Sequence, residues 1–157
     1  MKQSANLTII LTIALLVACG PVPTPGTPSV HEADPVALIT GTHCFRSVTT
    51  AGDGAYSDTM SIVLNVSNNT ITGRMDWLPG MKDKMRGTLK GTIADERITA
   101  LYTYSAEGVE FIEERLFQLH ENGITILGGE LEERDGMWVL KDPANAVEGM
   151  TVPEVDC

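Results

Sequence analysis

The feature that most limits the fold of this chain is a period-two alternation of apolar and polar residues that begins near residue 38. It is clearest in 60–67, where Met60, Ile62, Leu64 and Val66 are separated by mostly polar residues. A turn at Asn68-Asn69 follows, and the alternation resumes in 70–77. Such alternation, broken by turn residues every eight to twelve positions, is typical of antiparallel strands. We therefore expect an all-β domain over residues 38–157.

The alternating runs predict eight strands, near 40–48, 60–67, 70–77, 89–93, 98–104, 109–119, 124–131 and 137–141. Eight short antiparallel strands close into a small up-and-down, calycin-like barrel whose interior is filled or holds one small ligand. A two-sheet β-sandwich is the alternative. One helical turn is expected within 143–149, followed by a tail to Cys157.

The N-terminus has the pattern of a secretion signal. Lys2 precedes an uncharged apolar run that ends at Ala18, and this run is too short for a permanent transmembrane helix. The junction Leu16-Val17-Ala18-Cys19 resembles the lipobox of bacterial lipoproteins, which implies cleavage after residue 18 and lipidation of Cys19. Several acyl chains anchor a protein stably. In the lipoproteins that this junction resembles, an aspartate after the cysteine is an inner-membrane retention signal, so the resemblance with Gly20 at that position implies the outer membrane.

Residues 19–37 form a proline-rich segment, with prolines at 21, 23, 25, 28 and 35. Proline favours extended, semi-rigid backbone, so this segment predicts a tether between the lipid and the domain. Its His31, Glu32 and Asp34 are interpreted as solvated linker residues because a lone histidine does not define a metal site.

The cysteine count fits an oxidising compartment. With Cys19 lipidated, Cys44 and Cys157 remain as a pair, and we expect them to form a disulfide. Two free thiols are the alternative. The bond would fasten the end of the chain to the first strand.

Charge excludes some partners. Without residues 1–18 the chain has 21 acidic and ten basic residues, a formal charge of −11. Such a surface repels nucleic acids and anionic headgroups, so the membrane contact is expected to come from the lipid alone.

Several spaced motifs resemble an uncharacterised family of small bacterial lipoproteins over most of residues 40–157. They are Lys82-Asp83-Lys84, Gly87-Thr88-Leu89-Lys90-Gly91, Tyr102-Thr103-Tyr104-Ser105-Ala106-Glu107-Gly108, Arg115-Leu116-Phe117, Gly128-Gly129-Glu130 and Lys141-Asp142-Pro143. The resemblance implies no particular activity. Lipocalins share the eight-strand plan, but Gly41-Thr42-His43 stands where they have Gly-x-Trp. Periplasmic lysozyme inhibitors are similar in size, disulfide and anchor, without a shared motif.

No catalytic or metal-binding set is evident, and we expect no enzyme and no cofactor. Glu113, Glu114 and Glu130 could supply a glycosidase pair, but Glu113 and Glu114 should face opposite sides of one strand. The domain's two histidines, His43 and His120, lie in no nucleophile motif and cannot complete a zinc site if Cys44 is oxidised.

Two groups of residues are candidates for binding. Trp77, Tyr102, Tyr104, Arg115 and Glu130 lie on faces that could point into the barrel. Arg115 would then pair with Glu113 or Glu130, either as a structural ion pair or as the polar anchor of a cavity. Trp77 and Trp138 are expected to be core residues or plugs at a barrel end.

The second group is the segment around Met81, Lys82, Lys84, Met85 and Arg86, which concentrates positive charge in an acidic domain. Methionine supplies adaptable apolar contacts. This segment is interpreted as an exposed hairpin loop that is either a simple solvated loop or an interaction site.

These features favour a lipid-anchored, non-enzymatic binding module of the cell envelope, with an envelope protein as partner. The alternative is a lipocalin-like carrier of a small hydrophobic ligand, which needs an open pocket of about 300 Å³ or more. A hydrolase is the remaining alternative, and it would need two inward carboxylates in one cleft with well-separated pKa values.

Overall fold

The computed structural model describes residues 39–157, so the signal sequence, Cys19 and the tether lie outside the described residues. The described residues contain ten strands and one 3-10 turn at Pro143–Asn145. No helix among them is long and apolar enough to cross a membrane. The strands are β1 (Gly41–Thr50), β2 (Ser57–Ser67), β3 (Thr70–Leu78), β4 (Met85–Ala94), β5 (Arg97–Ala106), β6 (Val109–His120), β7 (Gly123–Gly128), β8 (Leu131–Arg134), β9 (Met137–Leu140) and β10 (Val147–Val155).

Eight of these strands close into an antiparallel barrel in the order β1-β2-β3-β4-β5-β6-β7-β10, which confirms the predicted fold class. Strand β10 returns to β1 and completes the ring. This seam is short: Cys44 pairs with Val155 and Phe45 with Glu154, whereas β1 and β2 share ten residue pairs. Cys44 and Cys157 lie at disulfide distance beside the seam, with Cα atoms 5.3 Å apart, as the sequence predicted.

The eighth strand of the ring is not the one that the sequence predicted. Residues 137–140 form β9, which pairs with β8 and shares a single parallel residue pair with β6, Glu113 with Trp138, so it lies outside the ring. The run predicted as one strand over 124–131 is divided at Gly128-Gly129 into β7 and β8. The ring is completed instead by the predicted tail, which follows the expected helical turn as β10. Because only Val152 of β10 is buried, this strand lacks the alternation that identified the others.

The barrel interior forms the main core, from Phe45 on β1 to Val152 on β10. A smaller cluster lies outside the ring, where Leu116 and Leu127 on the outer wall are covered by Leu140, Leu131 and Ala146. The hairpin β8–β9 is therefore packed against the barrel by its own apolar contacts.

The two barrel ends differ. At the end where β1 begins, the strands are joined by tight turns at Asn68-Asn69, Asp95-Glu96 and Glu121-Asn122, as predicted, and we call this the closed end. The opposite end has longer connections, residues 51–56 and 79–84, and we call it the mouth. Asp95 and Glu96 both have positive φ, 49° and 62°, as a type I′ turn requires.

Candidate binding site at the barrel mouth

A cavity of about 190 Å³ opens inside the barrel near the mouth. We call it the mouth cavity. Its lining is almost entirely apolar, with one cation, and consists of Met60, Met75, Trp77, Met85, Tyr102, Arg115, Ile126 and Met150. The sequence predicted that Trp77, Tyr102 and Arg115 face inward, and the structure brings these three together.

Strand register explains why the methionines converge. Trp77 on β3 pairs with Met60 on β2 and with Met85 on β4, so the three side chains form one inward row. Directly paired residues have Cβ atoms about 4.5–5.5 Å apart. Met75 lies two positions earlier on β3 and faces the same side, and Met150 on β10 also lines the cavity. Four thioethers and one indole thus line the same cavity.

The polar wall of the cavity is built on β5. Tyr102 is fully buried, and its hydroxyl donates to the backbone oxygen of Met75 at 2.9 Å. Its ring stacks on Tyr104 with centroids 4.7 Å apart, and Tyr104 stacks on Phe111 at 5.4 Å. Burial raises the pKa of Tyr102 above its usual range, so the phenol stays protonated and keeps its donor role.

Arg115 and Glu113 form the inward ion pair of β6, with the guanidinium donating to the carboxylate at 3.0 Å. Burial raises the pKa of Glu113, while Arg115 acts in the opposite direction. The Arg115 Nε is buried and has no hydrogen-bond partner among residues 39–157. The pair therefore leaves one donor free beside the cavity.

The predicted interaction loop borders the same cavity. Met85 is the first residue of β4 and lines the cavity, whereas Met81 is 73% exposed on the loop between β3 and β4. Gly80 N donates to the Asp58 carboxylate at 2.8 Å, which holds the start of the loop against β2. Lys82, Lys84 and Arg86 are exposed. The two groups of candidate residues thus meet at one end of the barrel.

Two predictions about individual side chains were wrong. Glu130 does not face the interior, because β7 ends at Gly128; the carboxylate is exposed and pairs with Lys141 outside the ring. Trp138 is neither core nor plug, since it lies on β9 with 41% of its surface exposed.

The acidic residues and histidines considered for catalysis do not lie together at one site. Glu113 faces the interior, while Glu114 accepts a hydrogen bond from the Leu140 backbone on the outside. His43 pairs with Glu154 at 2.9 Å, and His120 contacts the Thr125 hydroxyl at 2.9 Å on the outer wall. In the described part of the chain, no group of three or more His, Cys, Asp or Glu residues is placed to hold a metal.

Larger depressions lie on the outer surface, including one of about 570 Å³ over β2, β3 and β4 and one of about 390 Å³ beside His120. Both are shallow and open to solvent. The mouth cavity is smaller, but it combines apolar walls with a buried charge, which is the arrangement expected of a binding site.

Sequence reasoning missed Met60, Met75 and Met150 as site residues. The alternation placed Met60 and Met75 on inward faces, so that signal was present. Their convergence on Trp77 depends on strand register, which the alternation does not determine.

Comparison with known proteins gave no match: no family model, no curated protein and no solved structure matches this chain. The resemblance to small bacterial lipoproteins therefore stays a prediction.

Proposed function

We propose that this protein is a lipid-anchored, non-enzymatic binding module of the cell envelope, which holds a partner protein at its barrel mouth. An apolar side chain of the partner would enter the mouth cavity, and acidic groups beside it would meet the basic loop residues. The observation that carries the proposal is the methionine-lined mouth cavity, one of whose lining residues, Met85, belongs to the basic segment 82–86.

The exposed apolar residues support this location. Among residues 39–157, nine large hydrophobic side chains are exposed, and six of them lie on the strand ends and loops of the mouth or line its cavity: Val48, Tyr56, Met81, Val109, Val147 and Met150. Apolar side chains that gather at one end of a domain mark an interaction surface more often than scattered ones do.

Charge supports a partner with acidic groups. The segment 82–86 has three basic residues and one acidic residue, Asp83, in a domain that is otherwise strongly acidic. Charge complementarity between this basic segment and acidic groups on a partner would orient the partner and speed its encounter more than it would raise affinity.

The volume of the cavity favours a side chain over a carried ligand. Small-molecule pockets are commonly about 300–1,000 Å³, whereas the mouth cavity has about 190 Å³. The free Nε of Arg115 beside the cavity favours the second candidate, a carrier of a small ligand with an acidic head. Native mass spectrometry of protein isolated from its own envelope distinguishes the two, because a carrier retains a reproducible added mass that denaturation removes.

The partner hypothesis is tested by photo-crosslinking in intact cells. A photoreactive residue at Met81 should capture one discrete species, and the same residue at Lys90, exposed on the outer face of β4, should not. Capture from Met81 should fall when Lys82→Glu and Lys84→Glu are added. Equal capture from both positions, or capture that the charge reversal leaves unchanged, contradicts partner binding at the mouth.

The anchor is tested separately with Cys19→Ala. We expect this variant to lose incorporation of labelled fatty acid and to leave the membrane fraction. Retention of both lipid label and membrane fractionation would show that Cys19 is not the anchor.

A further inference from the structure

Four of the seven methionines in the sequence line the mouth cavity, together with a tryptophan. Thioethers are soft, uncharged ligands that prefer Cu(I) among biological metals. This concentration of sulfur at one place is therefore a candidate site for a soft metal ion.

The positions of these residues suit a single small ion. Met60 and Met85 pair with Trp77 from opposite sides, and Met75 faces the same cavity from β3. Neighbouring strands are about 4.8 Å apart, so the backbones of Met60 and Met85 are about 10 Å apart with Trp77 between them. A methionine side chain has three rotatable bonds, so the two sulfur atoms can approach one ion from either side of the indole. Met60 and Met75 are buried, and Met85 is half-buried, so the ion would be shielded from water on most sides.

We propose that the mouth cavity binds one soft monovalent cation, of the class of Cu(I) and Ag(I), through the thioethers of Met60, Met75 and Met85 with the indole of Trp77 against the ion. The aromatic face attracts a desolvated cation. The thioethers bring no charge, and Arg115, the one cation in the cavity lining, is paired with Glu113 at 3.0 Å. The ion therefore meets no unpaired cation within the lining itself.

This inference does not depend on the proposed partner binding. Metal binding needs sulfur, whereas insertion of an apolar side chain needs only apolar volume. Replacing methionine with leucine removes the sulfur and keeps most of the volume, and volume-conserving core exchanges of this kind are usually tolerated. Leucine variants therefore separate the two proposals.

The test uses the full chain in detergent, in a Cys19→Ala background so that no free thiol competes once Cys44 and Cys157 are bonded. Ag(I) is the probe because it has the same charge and ligand preference as Cu(I) and is not oxidised by air. We expect one Ag(I) per chain in native mass spectrometry and quenching of Trp77 fluorescence. In NMR spectra of methyl-labelled methionine, Met60, Met75 and Met85 should shift, while Met137 outside the ring should not.

The variant Met60→Leu/Met85→Leu should bind Ag(I) at least tenfold more weakly, and the matched control Met137→Leu should bind it unchanged. Zn(II), which prefers nitrogen and thiolate ligands, should cause none of these shifts. Failure of the wild-type chain to retain Ag(I), or equal retention by the double leucine variant, would overturn the proposal. The methyl shifts of the wild-type chain locate the ion even if a variant folds poorly. Loss of Ag(I) binding with intact Met81 crosslinking would leave the partner hypothesis standing.

Discussion

The guanidinium carbon of Arg115 lies 5.9 Å from the ring centroid of Tyr102, so β6 and β5 are joined across the cavity wall by a cation–π contact. The same guanidinium donates to Glu113, and the Tyr102 hydroxyl donates to the backbone of β3. Three strands of the mouth are thereby connected through one tyrosine. This arrangement keeps the polar wall in place while the methionines opposite it remain adaptable.

The first prediction concerns the pH dependence of stability at Glu113. Because burial raises the pKa of Glu113 in the folded state, the folded protein binds its proton more tightly than the unfolded chain does. The contribution of Glu113 to the free energy of unfolding is therefore greatest at acidic pH and is lost as the pH rises through the folded-state pKa. Glu113→Gln removes the titration, so the free energy of unfolding of this variant relative to wild type should increase as the pH rises above 4.5, the ordinary pKa of a glutamate.

The measurement is denaturant unfolding of wild type and Glu113→Gln across this pH range. Glu110 is exposed on the same strand, so Glu110→Gln is the matched control. A relative stability of Glu113→Gln that falls with rising pH would mean that Arg115 outweighs burial.

The second prediction concerns the seam between β1 and β10. Only two residue pairs are formed there, so the bond between Cys44 and Cys157 supports a weakly paired junction. Replacing both cysteines with serine should lower the free energy of unfolding by about 2–5 kcal/mol. Hydrogen exchange should increase first in β10. Protection of β10 amides equal to that of wild type would show that the seam does not need the covalent link.

The third prediction concerns close strand contact at Gly91. A Cβ atom there would lie 2.0 Å from the Thr99 oxygen and 2.6 Å from the Ala100 Cα, both backbone atoms on β5. Gly91→Ala must therefore push β4 away from β5, and we expect a loss of roughly 2 kcal/mol or more. At Gly128 a Cβ meets nothing within 4 Å, so Gly128→Ala should change stability by less than about 0.5 kcal/mol. Equal effects in thermal unfolding would contradict this explanation.

The fourth prediction concerns the apolar cluster outside the ring. Leu140 is 4% exposed and packs over Leu116 and Leu127, so Leu140→Ala should cost about 2–4 kcal/mol. Leu101 on the outer face of β5 is 42% exposed, and the same substitution there should cost less than about 1 kcal/mol. If Leu140→Ala unfolds at the same denaturant concentration as wild type, the hairpin β8–β9 is not anchored by this contact.

Much of the barrel could be predicted because alternation is a local property. Residues 60–77 alternate cleanly around Asn68-Asn69, and the structure has β2 and β3 there. In β10 the local signal is missing, because its outward residues include Glu148 and Pro153 and only Val152 is buried. Its membership of the ring depends on pairing with residues far away in the sequence.

The candidate site was predictable to a similar degree. Inward orientation of Trp77, Tyr102, Tyr104 and Arg115 follows from alternation within each strand. The predicted inward orientation of Glu130 was wrong because the strand ends at Gly128-Gly129, before this residue. Met85 was assigned to a loop, yet it begins β4, and the register that sets it beside Trp77 is a property of the paired strands.

The meeting of β1 and β10 also determines the order in which the chain can assemble. Cys44 and Cys157 are 113 positions apart, so the ring closes only after nearly the whole domain has been delivered. Contacts of such long range slow folding. Until they form, β1 presents an unpaired edge on which a second copy can add a strand. Refolding should therefore be slow and sensitive to protein concentration, because neighbouring copies can pair with one another during that interval.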